Sequence, residues 1–299
     1  MGLANKSDPF NQVILIRQDR YIDLEIHYPS IGFIGAGNMA TALIRGILAK
    51  GYPENRILAC DPSAAQLDSL AQSINSHKIT TSLDSSAANN SDILVLAVKP
   101  QILPEVAKKL SAQIDSDTLI VSVAAGITLE LLHYYLQGRP TVRCMPNTPA
   151  LMGEGASGLF ASDNTTQQQK DSVSNIFESV GIVEWLSKET DLDLVTAVSG
   201  SGPAYFFLFM EAMIDAAVEM GLDRDAAHRL CVQTSSGASL MAAQNQDIAE
   251  LRKRVTSPNG TTEKAIAAFE NGDIRALVKN AMQDCADRSV EMAKEAANK

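Results

Sequence analysis

The residues with the most chemical content lie in short breaks between apolar runs. Ile31-Gly32-Phe33-Ile34-Gly35-Ala36-Gly37-Asn38-Met39-Ala40 is an apolar run that breaks into a glycine turn and restarts with helical spacing. Gly35 and Gly37 let the backbone turn sharply and approach a ligand, and Ala40 takes the third small position of G-x-G-x-x-G/A, where a helix packs closely on a strand. A helix opening at Asn38 aims its free N–H groups and positive dipole end at a pyrophosphate. The motif alone is weak, because a ligand-free βα turn carries glycines too. Three further stretches resemble it in placement, each directly after a β-rich run: Ala97-Val98-Lys99-Pro100, Ala124-Ala125-Gly126 and Met145-Pro146-Asn147-Thr148-Pro149. They offer a cation, small residues against which a flat group can lie, and an amide on a rigid loop. Asp61 follows another such run, about where a carboxylate accepts from the ribose 2′-hydroxyl of NAD and repels the 2′-phosphate of NADP. Singly, Lys99 reads as a solvated lysine and Asn147 as a turn residue; converging on one sheet edge, the set reads as a cofactor cleft.

Two more loops carry exposed backbone donors. Ser199-Gly200-Ser201-Gly202-Pro203-Ala204-Tyr205 and Thr256-Ser257-Pro258-Asn259-Gly260-Thr261-Thr262-Glu263 both place small residues and a Pro just before a helical run. Each reads as a helix N-terminal nest for a small carboxylate or phosphate. In the second, ordinary N-capping by Thr261 or Thr262 with Glu263 is an equal alternative. Neither His27, His77, His133 nor His228 falls in these motifs, and Cys60, Cys144, Cys231 and Cys285 match neither metal-ligand nor redox-pair spacing. No metal site is expected.

The elements that must position these loops follow from hydrophobic periodicity. Strands are expected at Ile31–Ile34, Ile57–Cys60, Ile79–Thr81, Ile93–Val98, Leu119–Val123 and Thr141–Met145, with helices at Asn38–Lys50, Pro62–Ser76, Ser85–Asn90, Gln101–Ile114 and Thr128–Leu136 between them. Alternating β and α elements predict a doubly wound parallel sheet of Rossmann type, which binds ligands at the carboxyl ends of its strands. Ala156–Ala161, a helix through Gln168–Val180 and Val183–Leu186 continue the α/β pattern. Beyond a polar joint at Ser187–Asp193 come only helical runs, Pro203–Met220, Arg224–Ala243, Lys264–Glu270 and Ile274–Ala297. The three long ones are apolar around much of their circumference, so they need burial on more than one side. An all-α dimerisation domain that shares its core with a second copy is the expectation. The expected division is residues 1–29 as an N-terminal extension, in which Ile22, Leu24 and Ile26 alternate as in a strand and disorder is the alternative, 30–188 as the dinucleotide-binding domain, and 189–299 as the helical domain.

Bulk properties narrow the partners. A net charge of −10 argues against nucleic acid or an anionic membrane, which need a basic face. No signal-peptide pattern opens the chain and no apolar run is expected to span a membrane. With unpaired cysteines expected, a cytoplasmic location follows.

The ordered set GFIGAGNM, LAVKP, AAG, MPNTPA, SGSGPAY and SPNGTT resembles the pyrroline-5-carboxylate reductase family, from about Ile31 to the C-terminus. The resemblance implies hydride transfer from NADPH or NADH to the C=N carbon of 1-pyrroline-5-carboxylate, the last step of proline synthesis. It implies an obligate homodimer whose sites are completed by the partner subunit, with a higher oligomer of dimers left open. By resemblance, Thr262 places its hydroxyl beside the ring nitrogen as the catalytic group, and Ser257, Gly260, Thr261 and Thr262 bind the substrate. Ile34, Gly35, Ala36, Gly37, Asn38, Met39, Asp61, Ala97, Val98, Lys99, Pro100, Val123, Ala124, Ala125 and Asn147 line the cofactor. The chain departs from the family at Asn259, which replaces the first Gly of Ser-Pro-Gly-Gly, and at Asn245, where several relatives carry Glu. Asp61 stands where NADPH-preferring relatives often carry a small hydroxyl residue, so NADH use is open; Arg252-Lys253-Arg254 is the run that could reach a cofactor phosphate from the partner chain. A β-hydroxyacid dehydrogenase would want a catalytic Lys on a helix of the second half, and neither it nor a dinucleotide-sensing module explains Ser257–Thr262.

Overall fold

The computed structural model describes residues 12–18, 21–74, 79–244 and 247–298. Asn245 and His77 lie outside the described residues, as does the expected end of the second helix at Ser76. Contacts divide the chain into two compact units, Met1–Gly200 with Ala286–Lys299, and Ser201–Cys285.

The described part of the N-terminal extension is an antiparallel hairpin of β1 (Gln12–Gln18) and β2 (Tyr21–His27), paired with itself as a separate sheet. The first unit then runs β3 (Ile31–Ile34), α1 (Asn38–Ala49), β4 (Ile57–Cys60), α2 (Ala64–Ile74), β5 (Thr80–Ser82), β6 (Ile93–Leu96), α3 (Leu103–Ser111), β7 (Leu119–Ser122), α4 (Leu129–Leu136) and β8 (Thr141–Met145). It continues with β9 (Gly155–Ala161), α5 (Gln167–Phe177), β10 (Gly181–Trp185) and α6 (Asp191–Val195). The strand order is β10-β9-β8-β7-β6-β3-β4-β5. Chain order reverses between β3 and β6, the point at which such sheets open a crevice for a ligand.

Alternation along the central strands fills two cores. Ile31, Phe33, Ile93, Val95 and Val121 pack with α1 and α5 on one face, whereas Ile34, Leu94, Leu96 and Ile120 pack with α3 and α4 on the other. The helix α1 buries Ala40, Leu43, Ile44 and Ile47, the i, i+3, i+4, i+7 stripe its sequence offers.

The sheet departs from the expected all-parallel form at one place: β9 returns antiparallel to β8, and β10 pairs parallel to β9. Residues 146–154 hold only a short 3-10 helix, Thr148–Met152, which cannot make the long crossover a parallel return requires. Two expected helices also shrink. The second starts at Ala64 because Ser63 accepts from the Gln66 amide at 3.4 Å, leaving Pro62 outside. Ser85–Asn90 is a 3-10 turn, Ser85–Ala88, opened by Asp84 accepting from the Ser86 amide.

Arg139 fastens the second core. The residue is 8% exposed, and its guanidinium donates to four carbonyls, Ser111 (3.1 Å), Ile114 (2.6 Å), Asp115 (2.9 Å) and Leu136 (2.7 Å). One cation thus serves carbonyls at and just beyond the C-termini of α3 and α4, where the helix dipoles favour positive charge.

The second unit holds α7 (Gly202–Glu219), α8 (Arg224–Ala243), α9 (Ile248–Arg254), α10 (Thr261–Asn271) and the start of α11 (Ile274–Ala297). Its apolar side chains are not consumed within one chain: Phe206, Phe207, Leu208, Leu230, Leu240 and Leu277 are each more than 60% exposed. The helical stretch Asp191–Glu219 is, against the sequence expectation, long and apolar enough to cross a membrane by length and composition alone. An exposed apolar surface of this extent marks an interaction surface.

Arg139→Ala is expected to cost about 2–4 kcal/mol, because it removes the side-chain donor from the Ser111 and Ile114 carbonyls and leaves Asp115 and Leu136 only their long backbone bonds. Arg139→Lys should recover only part of this, since one ammonium cannot reproduce the fork. Urea denaturation of both variants against the parent checks it, and a parent-like midpoint for Arg139→Ala would refute it.

Candidate functional site

The strand ends of the first unit converge as the motifs require. Gly35 follows β3 with φ 99, and a Cβ there would stand 2.6 Å from the Ala97 carbonyl oxygen. The Ala97 amide in turn donates to Ile34 O at 2.8 Å, and Val123 N to Leu96 O at 3.2 Å, so the three loops leave the sheet side by side. Only glycine holds the Gly35 conformation at that distance.

Gly37 is the N-cap of α1 and brings no side-chain cap. A Cβ added to it would meet nothing within 4 Å, so the helix start faces open space. No acidic residue occupies the first turn. The donors and the positive dipole end are therefore left for an anion, which is what a pyrophosphate needs. Ala36 and Ala40 are buried, while Asn38 is exposed at the helix start and Met39 is half-buried.

Asp61 leaves β4 with its carboxylate turned to this loop: Oδ2 accepts from the Ala36 amide at 2.9 Å and Oδ1 from the Ser63 amide at 2.9 Å. Each oxygen keeps a lone pair for a further donor. Burial pushes the neighbouring Cys60 thiol up to about 11, with the Asp84 charge adding to it, so no thiolate opposes an anion here. Lys99 is exposed, and Val98 and Pro100 are half-buried beside it. Ala124 is buried, and Gly126 (φ 69) closes the turn where a Cβ would lie 3.1 Å from the Met292 Cβ.

Asn147 has a bracing role that its sequence position did not disclose. It is 8% exposed; its Oδ1 accepts from the Ala156 amide at 2.9 Å and its Nδ2 donates to Ser199 O at 3.0 Å. Both ends of the amide are engaged by backbone, so the side chain ties the loop after β8 to β9 and to the turn at Ser199. A second brace also lay outside the motifs. Glu189 Oε1 accepts from Arg143 Nη1 on β8 at 2.5 Å and from the Leu129 amide at the start of α4 at 2.6 Å. The charged residues that flank the joint were its only sequence signal.

The two loops read as nests differ. Ser199–Tyr205 is not an open helix start: Thr196–Gly200 form a π-helical turn, and the Ala204 amide donates to Ser201 O at 3.0 Å. In the second unit, Gly260 is the N-cap of α10 and no side chain caps the helix. Capping by Thr261 or Thr262 is thereby excluded, and both residues are exposed at the helix start. Asn259 adopts φ 57, the left-handed conformation expected of a residue replacing Gly there.

Comparison with known proteins agrees with this geometry. A family model described as pyrroline-5-carboxylate reductase dimerisation matches residues 189–292, and one described as NADP oxidoreductase, coenzyme F420-dependent, matches residues 30–126. A pyrroline-5-carboxylate reductase of Pseudomonas aeruginosa is 47% identical over 269 residues, 89% of this chain and 98% of that protein. The chain belongs to the pyrroline-5-carboxylate reductase family. A Methanosarcina acetivorans member is 41% identical, with 88% of this chain and 98% of that protein covered. Among solved structures, a pyrroline-5-carboxylate reductase from Coxiella burnetii matches with a TM-score of 0.83 and 39% identity, covering 89% and 98% of the two chains. A Plasmodium falciparum pyrroline carboxylate reductase with NADP bound matches with a TM-score of 0.77 and 30% identity over the same shares. The family is one of oxidoreductases, and its mostly parallel Rossmann-like half and helical half are those described above.

Gly35→Ala is expected to destabilise the first unit by about 2–4 kcal/mol and to weaken dinucleotide binding, because its methyl meets the Ala97 carbonyl. Thermal unfolding and fluorescence titration with NADPH read the two effects. A variant that melts and binds like the parent would contradict the close approach.

Proposed function

We propose that this chain gives hydride from NADPH or NADH to the C=N carbon of 1-pyrroline-5-carboxylate, forming L-proline in the last step of proline biosynthesis. The observation that carries the substrate half is the uncapped start of α10 at Gly260, in a loop that carries two threonine hydroxyls.

The cofactor fits the first unit because the open N-cap at Gly37 and the side-chain-free turn at Gly35 leave room and donors for a pyrophosphate. Amides from Gly37 to Met39 would hold it, the Gly35 and Ala36 amides being engaged by Cys60 O and Asp61; Asp61 would take the ribose hydroxyl, and Ala97–Pro100 with Val123–Ala125 would flank the remainder. Asn147 belongs to the nicotinamide end as a positioning residue, holding the loop after β8. When bound, the dihydronicotinamide supplies the hydride.

Reduction of a cyclic imine asks three things of the protein: a fixed dihydronicotinamide, a grip on the carboxylate, and a donor at the ring nitrogen. Amides of Thr261 and Thr262 at the uncapped helix start after Gly260, with Ser257 beside them, grip the carboxylate. The ring N–H of the protonated imine donates to the Thr262 hydroxyl oxygen, and as hydride reaches the C=N carbon the nitrogen gains a lone pair to which that hydroxyl donates. On hydride addition the C=N double bond becomes a single bond and the nitrogen keeps its proton as the amine.

The chain works as an obligate homodimer, with the exposed apolar faces of α7, α8 and α11 as the surface that a second copy covers. All four cysteines are free, which supports a cytoplasmic location.

Following NADPH and NADH oxidation with pyrroline-5-carboxylate tests the activity; no oxidation with either would end this reading. Thr262→Ala should lower kcat/KM about 10- to 100-fold, and a variant with full kcat/KM would remove the role given to Thr262. Asp61→Ser should move the preference toward NADPH by about tenfold, the size of one placed charge; an unchanged ratio means that Asp61 does not read the ribose. Mass measurement in solution should show at least two 32.0 kDa chains per particle, and a stable monomer would contradict the dimer.

A further inference from the structure

We infer that Glu263 is a positioning residue of the reductase site: it locks Asn259 in its left-handed conformation and so holds open the amides of the substrate loop. The inference rests on the reading of Ser257–Thr262 as the carboxylate-binding loop. The Gly260 amide donates to Ser257 O at 3.0 Å, closing a four-residue turn with Pro258 second and Asn259 third. A turn with Pro second and a positive φ at the third position is a glycine turn, and Asn259 sits there at φ 57. Asn tolerates that conformation but does not prefer it as glycine does. Something outside the turn must therefore select it.

Glu263 supplies the selection. It is the third residue of α10, where a glutamate ordinarily reaches back to the N-cap amide. That amide, on Gly260, is already spent on Ser257 O. The carboxylate reaches one residue further, and its Oε2 accepts from the Asn259 amide at 2.8 Å. A Cβ on Gly260 would lie 2.9 Å from Ser257 O, so the turn has little slack to move in any other way. The tether has a second effect. A carboxylate free in the first turn of a helix competes for that helix's own amides; engaged by Asn259, Glu263 has one oxygen committed elsewhere, and no side chain caps α10.

Two effects of this carboxylate oppose each other and can be separated. Its negative charge disfavours an anionic substrate, whereas its acceptor oxygen shapes the loop. Glu263→Gln removes the charge and keeps an acceptor; Glu263→Ala removes both. Steady-state kinetics of the full-length protein with pyrroline-5-carboxylate and NADPH should show KM for the imine raised about 3- to 10-fold in Glu263→Ala, the loss of one charge-assisted bond. KM for NADPH should stay within about twofold in both variants, and Glu263→Gln should have an imine KM equal to or below that of the parent. In an Asn259→Gly background, where glycine takes the left-handed conformation unaided, Glu263→Ala should cost about twofold at most. Parent-like imine KM in Glu263→Ala overturns the proposal, as does an equal rise in Glu263→Gln or an undiminished loss in the Asn259→Gly background. If Glu263→Ala does not fold, the Gln variant and the Asn259→Gly pair still decide. Failure of the parent to turn over the imine would instead remove the functional reading itself.

Discussion

The approach of the Gly35 backbone to the Ala97 carbonyl sets the geometry of the whole dinucleotide half. Two parallel strands whose ends would otherwise diverge are held together there by residues without side-chain bulk, and a helix begins immediately after. Everything else at that edge follows from it. The Asp61 carboxylate reaches the Ala36 amide because that amide is turned outward, and α1 packs on β3 because Ala40 is small enough to be fully buried. A larger residue at either point would separate the strand end from its neighbour and close the space in front of the helix.

Much of this was legible in the sequence, for reasons that can be stated residue by residue. Ile31–Ile34, Ile93–Leu96 and Leu119–Ser122 are short, β-rich and apolar on both faces, and both faces are buried. The direction of β9 was not legible, because hydrophobic pattern is the same for a parallel and an antiparallel return; a 3-10 turn in residues 146–154 decides it. The π-helical turn at Thr196–Gly200 was hidden for a different reason. Serine and glycine next to proline mimic a loop, and only their neighbours show that the backbone stays helical.

Side-chain braces were the least legible part of the site. Asn147 was expected near the cofactor as an amide on a rigid loop; its amide is buried and bonded at both ends. Glu189 and Arg143 are far apart in sequence, and nothing local to either names the other or the Leu129 amide. The same holds for Glu263, whose spacing from the helix start is that of an ordinary cap, but whose usual target is already taken. Motifs mark where a ligand is met; the bonds that hold those motifs in shape come from residues that composition and periodicity treat as surface.

The bare glycine cap of α10 has a consequence for how that helix exists before substrate arrives. A helix start without a capping side chain leaves its first amides without a side-chain acceptor, although the turn before it is held by the Gly260–Ser257 and Asn259–Glu263 bonds. On the proposed reading, the carboxylate of the substrate is the missing cap. Substrate recognition is then also the completion of a secondary structure, and part of the affinity for the imine is spent on ordering the turn that carries Thr262. Amide exchange in that turn and substrate occupancy become two views of one equilibrium.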